Sequence, residues 1–72
     1  MNKLALVTDA METSSDIQDD LKVIDQSLSR LYDCAECDDP MTIDDITRAM
    51  NFAQSVRELA ASLYNDLNKL LP

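Results

Sequence analysis

The sequence predicts an all-α fold: an antiparallel helical hairpin with a short N-terminal helix or extension, dimerising into a four-helix bundle or coiled-coil-like assembly. Three observations predict it. The chain has no glycine, and its only prolines are Pro40 and the terminal Pro72, so neither long segment contains a strong helix breaker. Apolar residues recur in alternating steps of four and three on both sides of Pro40. Seventy-two residues form at most one domain, too small to bury a large core, so self-association is expected.

Helix one is expected over residues 15–37. Its seam reads Ile17, Leu21, Ile24, Leu28, Leu31 and Ala35, the spacing of one coiled-coil stripe. Ser15 with Gln18 three residues later fits a capping box, which favours a break near Thr13-Ser14-Ser15 and a separate short helix or extension over residues 3–12. The competing reading is one helix from Lys3, since Val7, Ala10 or Met11, and Ser14 continue the seam more weakly.

Residues 38–41 are the turn, because the residue before proline is pushed out of the α region and aspartates tolerate turn geometry. Thr42 is a candidate N-cap for a second helix over residues 43–71. Asp44 and Asp45 suit its first turn, and Met41 is placed to pack on Ile46. The seam expected for helix two is Ile46, Ala49, Ala53, Val56, Ala60, Leu63, Leu67 and Leu70, with Phe52 and Leu59 on one flank and Met50, Tyr64 and Leu71 on the other. A surface that wide implies two packing partners, one within the hairpin and one in a second copy. Met50, Phe52, Leu59, Leu63, Tyr64, Leu67 and Leu71 are therefore the expected dimer interface.

Charge is concentrated. Ten acids lie between Asp16 and Asp45 against only Lys22 and Arg30, a stretch that accounts for the whole net charge of −8. Such a surface repels phosphate backbones and anionic lipid, so direct nucleic-acid and membrane binding are not expected, and basic partners are. The apolar start from Leu4 to Val7 is shorter than the roughly 7–15 residues of a signal-peptide core, and no segment reaches the ~20 residues of a membrane span. A cytoplasmic protein is expected.

Little in the sequence suggests chemistry. Cys34 and Cys37 form a C-x-x-C, a spacing shared by redox sites and by half of many zinc sites. With no histidine and no second pair, zinc would need two chains or a carboxylate such as Asp38. The surrounding acids oppose the thiolate that redox chemistry uses, so the cysteines read as structural or incidental thiols. The aspartates of the turn lack the glycine and ligand spacing of an EF-hand, and serines without histidine lack the usual activation of a nucleophile. No cofactor, metal, small-molecule substrate or enzymatic activity is expected.

A small acidic protein-binding regulator is expected instead, a stoichiometric inhibitor or adaptor of a host protein of the kind phages and mobile elements produce, acting through a dimeric helical surface. Tyr32, Asp33, Glu36, Asp38 and Asp39, near the hairpin tip, are the candidate partner-binding residues. The competing reading, and the more ordinary one for an aromatic on a helix flank, packs Tyr32 on the dimer mate. The alternative is a nucleic-acid mimic whose acids imitate phosphates. A further alternative follows from outline: two helices, the Asp38-Asp39-Pro40 turn and a leucine-rich C-terminal end make the chain similar to type III secretion needle subunits and their small helical chaperones. That resemblance implies a secretion-related structural role, but the second proline usual in the needle turn is missing from Ala35 to Asp38.

Overall fold

The computed structural model describes residues 2–72, and its regular elements are α1 (Lys3–Glu36) and α2 (Ile43–Asn68), with no strand among the described residues. The helices pack antiparallel along their length. The hairpin is a rod, with Cα extents of 54 × 16 × 14 Å and a radius of gyration of 16.5 Å, against about 11 Å for a compact chain of this length.

α1 starts at a cap of its own. The Asn2 side-chain oxygen accepts from the backbone N–H of Leu4 at 3.0 Å and of Ala5 at 3.4 Å, which satisfies two of the free donors of the first turn. The helix then runs unbroken through Thr13-Ser14-Ser15, so the separate segment over residues 3–12 is not formed. The break fails because nothing enforces it. Serine and threonine cost a helix only tenths of a kcal/mol each, roughly, and the Thr13 hydroxyl is satisfied within the helix by donating to the Asp9 carbonyl one turn back at 3.0 Å.

Asp38 ends α1. With φ at 59° it takes the left-handed conformation usually left to glycine, which this chain lacks. Its N–H donates to the Ala35 carbonyl at 3.3 Å and that of Asp39 to the Cys34 carbonyl at 2.8 Å, the crossed pair of a Schellman motif. α2 opens on Thr42, whose hydroxyl oxygen accepts from the Asp45 N–H at 3.3 Å while its O–H donates to the Asp45 carboxylate at 2.8 Å.

Half of the seam that apolar spacing predicts is covered, Ile17, Ile24 and Leu31 on α1 against Ala49, Val56 and Leu63 on α2, and the other half is not. The covered positions of α1 are Leu6, Ala10, Thr13, Ile17, Asp20, Ile24, Ser27, Leu31 and Cys34, with Ser14 and Val23 half-covered beside them, and those of α2 are Asp45, Ala49, Phe52, Val56, Leu59, Leu63 and Asp66, with Ser55 beside them and Leu70 just past the helix end. Without those flanking residues both series step by four and three. Leu21, Leu28 and Ala35 on α1, and Ile46, Ala53, Ala60 and Leu67 on α2, are exposed. Each helix is rotated by roughly 50°, half the angle between successive residues. Each helix carries two adjacent heptad stripes, and periodicity cannot choose between them. The short connection and polar contacts across the seam choose, among them the Ser55 hydroxyl donating to the Asp20 carboxylate at 2.7 Å.

The result is a thin core. Among the described residues only Ala10 and Ser27 are buried, Ser27 alone completely, and the Ser27 hydroxyl has no hydrogen-bond partner.

Candidate interaction surface

The stripe rejected by the seam forms a surface. On α1 it comprises Leu4, Val7, Met11, Leu21, Leu28 and Tyr32, and on α2 Ile43, Ile46, Met50, Tyr64 and Leu67, with Leu71 past the helix end, all exposed. Leu4 at 73% and Ile43 at 79% are barely covered at all. If the covered positions are lettered a and d of a heptad, these residues are b and e on both helices. In an antiparallel pair the e positions flank one another, so the two stripes lie side by side on one face. The opposite face carries Asp9, Asp16, Asp19, Arg30, Arg48, Asn51 and Lys69.

The register follows from two contacts. Asp20 bonds Ser55, and Arg30 reaches Asp45 at 3.5 Å, so levelled residues sum to 75 in both cases. Gln18 is thus level with Arg57, Asp25 with Met50 and Tyr32 with Ile43. Asp25 and Arg57 are the charged side chains of the apolar face. Two open concavities mark its ends. One of about 700 Å³ lies near the tip among Leu28, Tyr32, Ala35 and Met41, and one of about 270 Å³ lies between Tyr64, Leu67, Asn68 and Leu71.

Asp33, Glu36, Asp38 and Asp39 are exposed at the tip around the Schellman turn, with Tyr32 beside them on the apolar face. Asp45 is drawn inward by Thr42 and Arg30, in the one ion pair among the described residues. Of the residues expected to form a dimer interface, Met50, Tyr64, Leu67 and Leu71 lie on the open face, whereas Phe52, Leu59 and Leu63 are half-buried in the seam with α1. Spacing arguments missed Leu4, Val7, Met11, Leu21, Leu28, Ile43 and Ile46 as parts of the same surface. The signal was present, since Leu4, Val7, Met11, Leu21, Leu28 and Tyr32 all keep one heptad phase.

Cys34 is half-buried, Cys37 caps α1 from an exposed position, and both are free thiols. Among the described residues no group of three or more His, Cys, Asp or Glu side chains is arranged to hold a metal ion, and no helix is long and apolar enough to cross a membrane. Compared with known proteins, the chain matches no family model, no curated protein and no solved structure.

Proposed function

We propose that the chain is a small acidic protein-binding regulator, a stoichiometric inhibitor or adaptor that works without catalysis by presenting a helical surface and an acidic tip. The observation that carries this reading is the uncovered apolar face along both helices. Exposed apolar clusters at both ends of that face, separated at mid-rod by Ser14, Gln18 and Arg57, mark an interaction site. Beside it, the tip from Ser29 to Ile46 holds six acids against the single base Arg30, a field that draws a basic partner into contact.

Capture of proteins on the tagged chain, with stepwise salt elution, tests this reading against a variant in which Asp33→Asn, Glu36→Gln, Asp38→Asn and Asp39→Asn are combined. Loss of at least about tenfold in affinity at low salt is expected, with a smaller loss at high salt. Binding unchanged at every salt concentration would remove the acidic tip from recognition. The nucleic-acid mimic is the second reading. It is supported by the five tip carboxylates that no ion pair neutralises, and release of a nucleic-acid-binding protein at moderate salt would favour it.

A further inference from the structure

We propose that the apolar face closes on a second copy of this chain, antiparallel, so that each hairpin tip lies over the open end of its mate. This gives the regulator proposed above an acidic tip at either end, but the assembly is argued from the hairpin alone.

The surface area asks for a partner. The chain exposes 5577 Å², whereas a folded monomer of 8.1 kDa exposes about 4,500 Å². The excess of about 1,100 Å² is larger than the roughly 800 Å² that each side contributes to a standard interface.

The face is also complementary to itself. Antiparallel helices pack in layers that set one stripe position against the other, as a against d in a coiled coil. For α1 on α1 this sets Val7 against Tyr32 of the second copy, Met11 against its Leu28 and Ser14 against its Asp25, each pair summing to 39. Large residues meet at the ends, and the Asp25 carboxylate meets a hydroxyl that can donate to it. For α2 on α2 the same rule sets Ile46 against Tyr64 of the second copy, Met50 against its Ala60 and Ala53 against its Arg57, each pair summing to 110. In the last two pairs an alanine faces a long side chain. The first layering centres the dimer between Gln18 and Leu21, the second between Ala53 and Arg57. Because Gln18 is level with Arg57 and Leu21 with Gln54, these are the same point on the rod. One twofold axis satisfies both helix pairs.

Charge sets the direction. The tip from Ser29 to Ile46 has six acids and one base, while the open end, residues 2–14 and 61–72, has three acids and two lysines. Parallel packing would stack the two tips, and antiparallel packing sets each tip over the nearly neutral end.

Light scattering on the purified chain is expected to give twice the chain mass at micromolar concentration. This needs no variant. Direction is read by disulfide trapping with Cys34→Ser and Cys37→Ser as background. Met11 and Leu28 are seventeen residues apart on one helix, about 25 Å, and cannot bridge within a chain. M11C combined with L28C is therefore expected to give a covalent dimer, and M11C combined with Y64C, which would bridge only a parallel pair, is expected to give none. A monomeric mass overturns the dimer while leaving partner capture by the tip intact. A dimer trapped through M11C and Y64C overturns the antiparallel arrangement. A dimer that neither pair traps moves the interface off this face.

Discussion

Asp38 sits where a glycine would be expected. A left-handed residue with a Cβ costs roughly 1 kcal/mol, and the chain accepts that cost to close α1 with the Schellman hydrogen bonds. Asp38→Gly is therefore expected to stabilise the fold by about 1 kcal/mol, seen as a rise in Tm of roughly 4–8 °C, with Asp38→Asn as the control for lost charge. Ser27 makes the opposite concession inside the seam. Its hydroxyl is buried at 1% exposure with no partner, so Ser27→Ala should stabilise by about 1 kcal/mol in urea titrations. A destabilising Ser27→Ala would show that the hydroxyl is bonded in solution.

At the level of elements, continuity of α1 matters most. Through Thr13-Ser14-Ser15 the helix carries Leu6 and Ala10 to the far end of α2, and Leu4, Val7 and Met11 onto the apolar face. Ser14→Pro should break this extension at a cost of about 3 kcal/mol or more and lower the helical circular dichroism by the share of the first turns. An unchanged spectrum would mean that the segment is already frayed. Much of the element structure was legible in local chemistry. Pro40 with its aspartates marked the turn, and Thr42 marked the start of α2. The break at Thr13 was misread because serine and threonine signal caps and tolerate helix interiors alike, and only the absence of proline or glycine there argued for continuity.

For the whole molecule, two buried side chains among the described residues are too few to hold a rod of this length by core packing alone, so stability should depend on assembly. The Tm is expected to rise with protein concentration, and to rise again with added salt as repulsion among the acids is screened. A Tm that is constant over wide dilution would mean that the seam suffices by itself. The acidic tip as a surface was legible, because charge that lies close in sequence around a turn stays close in space. The apolar face was only half legible. Met50, Tyr64 and Leu71 stood out as excess width beside the expected seam of the second helix, whereas spacing assigned Leu21 and Leu28 on α1 to the hairpin seam.

By itself the sequence determined what depends on neighbours along the chain: two helices, a turn at Asp38-Asp39-Pro40, and carboxylates crowded at one end. These follow from propensity, capping and spacing, which act within a few residues. Only the tertiary structure decided which of two adjacent stripes each helix turns inward. The two stripes differ by a small rotation and have nearly the same period. The choice rests on the connection and on contacts such as Ser55 with Asp20, thirty-five residues apart. That choice leaves Leu21 and Leu28 of α1 and Ile46 and Leu67 of α2 outside, where they join a surface instead of a core.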